Sequence, residues 1–390
     1  MLRILSAVII SVSIIFSGNA AAAPKEPTIS ADSAIVIEAT TGRVIYEKNA
    51  DAVRPPASMT KMMTCILGLE NLAPNEEIRI SQAAQDTAYP ELDLMAGDVL
   101  SANELMMGMM LVSDNGAAVA LAQAVAGNVP DFAAMMNDKA EWIGCTNTNF
   151  VNPNGLPAAN HYSTARDMAL IAAYCMQDWD FRDIVSTQRE TIHWMIPDTV
   201  TVKVENSNKL LGKYKGANGI KTGWTRAAGG CLAASARRGE IELIVIIMHS
   251  EDVDTRFDDA KKLLDYGFNR VGKIYGIEKD LIETKVLIKN GAQATLAVGP
   301  EEDLTFPLLD DEDEGKLRVE YELPKVLAAG IKTGDSVGRA ILKYDGNEVA
   351  SVKFVARENV AEGSSVASRI VGWTEPLINV AQNFLTVWLA

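Results

Sequence analysis

Positive charge is in short supply in this chain. Its 390 residues carry 36 Lys and Arg against 51 Asp and Glu, a formal net charge of −15. Such a surface repels phosphate backbones and gains nothing from general attraction to anionic lipid, so nucleic acid is excluded as a partner. Histidine is scarcer still. His161, His193 and His249 are scattered, and no pair has the spacing that sets two zinc ligands on one helix. Neither a metal nor a cofactor is expected. Cysteine is sparse and unclustered. Cys65, Cys145, Cys175 and Cys231 sit singly in mixed or apolar surroundings, which reads as buried free thiols, with a Cys145–Cys175 pairing left open. Long apolar runs are missing too, and none is visible after residue 23 that could span a bilayer.

What is present begins with Arg3, an apolar run from Ile4 to Phe16, and the small residues from Ser17 to Ala23. A basic start, a short apolar stretch and small-x-small alanines read as a secretory signal peptide over residues 1–23, or else as a retained anchor. Export is expected. Ser33 to Tyr46 reads as two strands around a Thr-Gly turn, followed by a helix starting near Ala57. Met- and Leu-rich helix over Ala102–Val112, helix over Ala117–Ala126 and an amphipathic helix over Thr164–Met176 come next. Two buried strands, from Cys231 and from Ile241, precede a closing helix over Asp258–Tyr266. This order is an α+β arrangement, placed over residues 24–276. Short alternating strands separated by turns and by the acidic run Asp310–Glu314 read as a small all-β domain over 281–371.

Three polar constellations could carry chemistry. Pro55-Pro56-Ala57-Ser58-Met59-Thr60-Lys61 places Ser58 and Lys61 at i and i+3 on one face, near free backbone N–H groups. A hydroxyl, an amine and unpaired donors are what a serine acyl-transfer centre needs. Alone, the stretch reads first as a helix cap followed by a surface lysine, and its companions must decide. Ser113-Asp114-Asn115-Gly116 offers a hydroxyl that could pass a proton and a carboxamide that could hold a substrate amide, or else an ordinary turn. Lys221-Thr222-Gly223 offers an amine and a hydroxyl on a strand edge, with Gly223 allowing a ligand backbone to approach, or else a surface strand.

Ser-x-x-Lys, Ser-x-Asn and Lys-Thr-Gly occurring together in that order are the signature of class A β-lactamases and penicillin-binding proteins. The chain resembles the low-molecular-mass penicillin-binding proteins, specifically the D-alanyl-D-alanine carboxypeptidases of bacterial cell walls. The likeness also takes in Phe150-Val151-Asn152-Pro153-Asn154-Gly155-Leu156, Thr164–Ala169, Gly219–Gly223, Ala227–Leu232 and Arg256-Phe257, and so covers roughly residues 29–270. It implies a transpeptidase-like catalytic domain, an antiparallel sheet with helices plus a helical subdomain. It also implies peptidoglycan stem peptides ending in D-Ala-D-Ala as substrate and β-lactams as acylating inhibitors. In this reading Ser58 is the acylated nucleophile. Lys61 is the base, kept neutral by burial and by Lys221 as a neighbouring cation. Ser113 relays a proton to the leaving amine, and Asn115 binds a substrate amide. Thr222 and Arg256 hold the terminal carboxylate. The resemblance assigns the oxyanion hole to the backbone N–H groups of Ser58 and Trp224.

Lys332-Thr333-Gly334 repeats the third motif within the all-β region and reads as a hairpin turn. The Phe150–Leu156 stretch holds no carboxylate, with Glu141 ahead of it and Glu190 well beyond it, so slow release of penicillin is expected rather than β-lactamase turnover. The family often carries histidine where Asn154 stands, which leaves the role of that position open. An endopeptidase acting on peptide crosslinks, or a β-lactam sensor without turnover, would use the same three motifs. At the end of the chain, Trp373, Leu377, Val380, Ala381, Phe384 and Trp388 follow helical spacing. Residues 372–390 therefore read as an amphipathic helix lying on the membrane surface, or else docked on its own domain. Peripheral attachment to the periplasmic face of the inner membrane is the expected location.

Overall fold

The computed structural model describes residues 25–280 and 284–363. The predicted signal peptide and C-terminal helix lie outside the described residues. Two compact units divide the chain, the first ending at Arg270 and the second beginning at Val271.

The first unit opens with strands β1 (Ser33–Glu38) and β2 (Val44–Lys48), the hairpin expected around the Thr-Gly turn. A helical block follows, with α1 (Lys61–Asn71), α3 (Ala102–Leu111), α4 (Asn115–Ala126), α5 (Val129–Ile143), α6 (Ala165–Cys175) and α7 (Trp179–Ser186). A short helix α2 (Gln82–Gln85) sits between the small strands β3 (Glu77–Arg79) and β4 (Val99–Ser101), which pair with each other. Strands β5 (Arg189–His193) and β6 (Thr201–Glu205) form a separate ribbon. Three long strands, β7 (Ala217–Thr225), β8 (Gly229–Arg238) and β9 (Ile241–Ser250), precede the last helix, α8 (Thr255–Arg270). The main sheet runs β2-β1-β9-β8-β7, every neighbouring pair antiparallel.

Why β9 reads as one apolar run is visible in its packing. Ile244, Ile246 and Met248 join the large core shared with α1, α3, α4 and α6. Leu243 faces the other way, and together with Val36 it packs against Gly267 of α8. Helices on both faces leave no solvent side, so polar alternation disappears. Methionine supplies much of the helical core. Met59, Met62, Met63, Met106, Met109, Met110 and Met136 are all buried within it, an adaptable filler between crossing helices. Helix starts carry side-chain caps: Ser101, Asp114, Asn128, Thr164 and Asp178 each accept a backbone N–H with the side chain.

Two expectations need correction. The closing helix is longer than its Asp258–Tyr266 core, beginning at Thr255 and reaching Arg270. The helix after Pro56 begins at Lys61, because Ala57–Thr60 first form a tighter 3-10 turn. Ala57 has φ +48 there, and the Met59 N–H bonds the Pro56 carbonyl at 3.3 Å.

The second unit is all-β, as expected. Strands β10 (Val271–Ile277) and β13 (Leu304–Leu309) pair with each other. Strands β11 (Thr284–Lys289), β12 (Thr295–Pro300), β14 (Leu317–Glu322), β15 (Val326–Ala328), β16 (Ser336–Tyr344) and β17 (Asn347–Ala356) form a sheet in the order β14-β16-β17-β12-β11-β15. Its core holds Leu296, Val298, Phe306, Ala340, Leu342 and Phe354. The second Lys-Thr-Gly lies in an exposed turn, where Lys332 N–H bonds Asp335 and Thr333 N–H bonds Asn359. It links β15 to β16, which do not pair with each other, so the turn is not a hairpin.

Candidate active site

The 3-10 turn Ala57–Thr60 is pressed between the edge of β7 and the Phe150–Leu156 loop. At Gly223 an added Cβ would lie 2.9 Å from the Ser58 nitrogen and 3.2 Å from that of Met59. Gly155, at φ +81, is as close on the other side, where a Cβ would overlap the Ala57 carbonyl. Glycine at 223 was expected to make room for a ligand. What comes close is the chain's own Ser58 turn.

Lys61 and Lys221 are both buried. Lys61 Nζ has three oxygen neighbours: Asn115 Oδ1 at 2.7 Å, the Asn154 carbonyl at 2.7 Å and Ser58 Oγ at 3.1 Å. A neutral amine has two N–H bonds and one lone pair. The two short contacts are acceptors that can only take the hydrogens, so the lone pair is left facing Ser58 Oγ. Burial pushes Lys61 well below the usual lysine range, and the charge of Lys221 adds to the effect, with Asp114 acting in the opposite sense. Lys221 itself is lowered to about 7, by burial first and then by Arg256, while Glu91 works against the shift. Its amine reaches the Thr222 carbonyl at 3.1 Å.

The remaining predicted residues occupy the same neighbourhood. Ser113, at φ +71, is half-buried on the turn between α3 and α4. Asn115 opens α4, and its Nδ2 donates to the carbonyls of Ala88 (2.8 Å) and Tyr89 (3.3 Å). One lone pair of its Oδ1 stays available for a ligand N–H. Thr222 Oγ1 shares a 2.7 Å hydrogen bond with Ser207 Oγ. Trp224 is 56% exposed on the edge strand. Arg256 lies beneath that strand, its Nη1 donating to the carbonyls of Gly223 (2.6 Å) and Cys231 (3.2 Å). It therefore meets the site through backbone and through its charge, rather than as an open fork. The Ser58 N–H has no carbonyl partner among the described residues.

Four residues contribute in ways that the sequence did not assign. Asp114, inside the second motif, caps Ala117 through Oδ1 (2.7 Å). Its Oδ2 accepts from the Glu91 (2.8 Å) and Leu92 (2.9 Å) N–H groups, which moors the loop that Asn115 also holds. Asn154 acts through its carbonyl, a group every residue owns. Ser207 and His161 reach the site across long sequence separations, and no local pattern marks either. Neither Glu141 on α5 nor Glu190 on β5 approaches these groups by any hydrogen bond or ion pair among the described residues. The four thiols are free, and burial pushes all of them up, Cys231 to about 11.

Residues 19–252 match a family model described as D-alanyl-D-alanine carboxypeptidase, and residues 274–362 match one described as the Penicillin-binding protein 5, C-terminal domain. The chain is 29% identical over 360 residues to D-alanyl-D-alanine carboxypeptidase DacF of Bacillus subtilis, covering 88% of this chain and 90% of that one. It is 30% identical over 352 residues to DacC of Escherichia coli, covering 86% of each. Among solved structures, penicillin binding protein 5 from Haemophilus influenzae is similar with a TM-score of 0.71 and 29% identity, over 87% of this chain and all of that one. The Streptomyces K15 DD-transpeptidase is similar with a TM-score of 0.60 and 33% identity, over 63% of this chain and 99% of that one.

Proposed function

This chain belongs to the D-alanyl-D-alanine carboxypeptidase family, and we propose on that premise that it removes the terminal D-alanine from peptidoglycan stem peptides through an acyl-serine intermediate. The observation that carries the reading is the orientation of Lys61. Its two hydrogens are engaged by Asn115 and Asn154, and its lone pair faces Ser58. Ser58 gives its proton to that amine while Oγ attacks the carbonyl of the penultimate D-alanine. The developing oxyanion is met by the Ser58 N–H, together with the Trp224 N–H that the family likeness assigns. The peptide C–N bond then breaks, and Ser113 passes a proton to the departing amine. Lys61 resupplies Ser113 with the proton taken from Ser58. Water then cleaves the ester, its hydroxyl going to the acyl carbon and its remaining proton, through the neutral Lys61 amine, to Ser58 Oγ.

Specificity for a chain end comes from charge. Thr222 carries its hydroxyl on β7 beside Lys221 and the Gly223 carbonyl that Arg256 holds. The charge of Arg256, with that of Lys221 where it is protonated, favours a free carboxylate over an internal peptide bond. Asn115 Oδ1 receives a substrate N–H with its remaining lone pair. β-Lactams acylate the same serine. The Phe150–Leu156 loop offers no carboxylate to activate water, and its polar groups are engaged within the loop, by Asn137 and His161, and by α1, with the Thr64 hydroxyl on the Pro153 carbonyl (2.6 Å) and Lys61 on that of Asn154. The penicilloyl ester is therefore long-lived.

Export through residues 1–23, and peripheral attachment to the periplasmic face of the inner membrane through residues 372–390, complete the proposal. No helix among the described residues is long and apolar enough to cross a membrane. Deleting residues 373–390 should move the protein from membrane to soluble fractions.

Mass spectrometry of the mature protein with benzylpenicillin, and separately with a diacetyl-Lys-D-Ala-D-Ala tripeptide, tests the activity. Loss of one D-alanine together with a persistent adduct on Ser58 is the expected result. An adduct without peptide turnover would redirect the assignment to an endopeptidase or a sensor. Rapid penicillin hydrolysis would make the chain a β-lactamase.

A further inference from the structure

One buried imidazole stands beside this site without a part in the chemistry. His161 is 6% exposed, with its ring 5.7 Å from that of Phe150. The Val151 N–H donates to its Nδ1 at 3.1 Å, so the proton of the neutral ring sits on Nε2. That Nε2–H donates to Thr60 Oγ1 at 2.9 Å. Thr60 immediately precedes Lys61, and Val151 opens the loop whose Asn154 carbonyl accepts from Lys61. The imidazole thus spans from the first turn of α1 to the loop that aims its amine.

We propose that His161 is a positioning residue for acylation: it holds the Phe150–Leu156 loop against Thr60, so that the Asn154 carbonyl keeps one Lys61 hydrogen and the lone pair stays on Ser58. This rests on Lys61 being the base. Other contacts bring the loop to α1, but a ring with one acceptor and one donor fixes both sides at once. Burial holds His161 at about 4, with no charged side chain contributing, so the acceptor at Nδ1 persists at neutral pH. Lys61 faces Ser58, Asn115 and the Asn154 carbonyl directly, with Lys221 and Asp114 as the charges acting on it. If the loop loosens, water reaches the amine. Burial is the larger cause of its low pKa, so that pKa must rise.

The experiment measures the rate of acylation by a fluorescent penicillin between pH 5 and pH 9, alongside thermal melting. In His161→Ala the acid limb of the profile should move up by about one pH unit, with about a tenfold loss of rate on that limb. His161→Gln keeps a donor for Thr60 and His161→Asn keeps an acceptor for Val151, so each should restore part of the shift. Thr60→Val cuts the same link from the other side and should move the limb likewise, whereas Thr60→Ser should not. If His161→Ala does not fold, the Thr60 pair decides. A limb that stays in place in the folded variants, whatever their melting temperatures, would reduce His161 to packing and overturn the proposal. A wild-type protein that takes up no penicillin would instead refute the proposed function.

Discussion

Gly223→Ala adds a single methyl group where the β7 edge meets the Ser58 turn. Gly223 has no positive φ, so alanine fits its backbone and the effect is steric alone. The new Cβ would stand 2.9 Å from the Ser58 nitrogen, 3.1 Å from Ala57 Cβ and 3.2 Å from the Met59 nitrogen. Contacts of this kind settle nearer 3.4 Å or beyond, so about 0.5 Å must be conceded between two stretches of backbone. Neither side is a flexible side-chain tip. The turn is braced by Gly155 behind it, while β7 is paired on one side only and can swing outward. Either movement changes the distance between the Ser58 N–H and β7, the strand to which the proposed function assigns the other half of the oxyanion hole. Losing one such donor costs on the order of 10²–10³ in rate, and a displacement of about half an ångström should cost roughly 10–100-fold. Stopped-flow acylation by fluorescent penicillin, D-alanine release and thermal melting would be compared with wild type. Acylation within threefold of wild type at an unchanged melting temperature would refute the reasoning, because the turn would then tolerate the methyl without moving the donor.

Other perturbations test separate links. Lys221→Met removes the cation that helps hold Lys61 low; the Lys61 pKa rises, and the acid limb of penicillin acylation should move to higher pH. A limb that stays in place would mean that burial alone sets the base. His161 binds its proton near pH 4 when folded but near its ordinary 6.5 when unfolded, so the unfolded state takes up more protons between those values. Stability should therefore be fully present above pH 6.5 and fall by roughly 2–4 kcal/mol as pH drops toward 4. Urea midpoints should show this slope flattened in His161→Gln, and an equal slope would assign it to other groups. Lys332→Ala should leave peptide turnover and acylation unchanged, since that amine belongs to an exposed turn in the second unit.

Local chemistry made much of this molecule legible. Paired prolines announced the start of the Ser58 segment, Ser-Asp-Asn-Gly announced a break between helices, and an unbroken apolar run announced a strand covered on both faces. The short tie strands β3 to β6 and the helix α7 passed unread, because they are short and the partners that stabilise them lie outside the segment itself, whereas α5 was legible only as a helix around Glu141. The 3-10 turn escaped for a related reason. Proline limits where a helix begins but does not say how tightly its first turn winds. At the site, motif residues could be named, yet their partners could not. Asn154 contributes a carbonyl, and no side-chain pattern records that. Arg256 carries the expected charge, but its contacts with the Gly223 and Cys231 carbonyls depend on how α8 packs beneath β7 and β8.

The open side of β7 has a further consequence. Among the described residues this strand has one neighbour, so part of its main chain faces outward, although Arg256 holds the Gly223 carbonyl and Asn208 that of Gly219. A peptide laid there becomes a sixth strand, and it is read by its backbone rather than its side chains. Under the proposed function such a reader would be indifferent to most chemical variation along the stem peptide and discriminating at one end, where Thr222 would receive the carboxylate. The same indifference admits a counterfeit. Under the proposed function a compact bicyclic amide with a carboxylate would meet the same edge as a peptide, and tightening the grip against it would also weaken the hold on the true substrate.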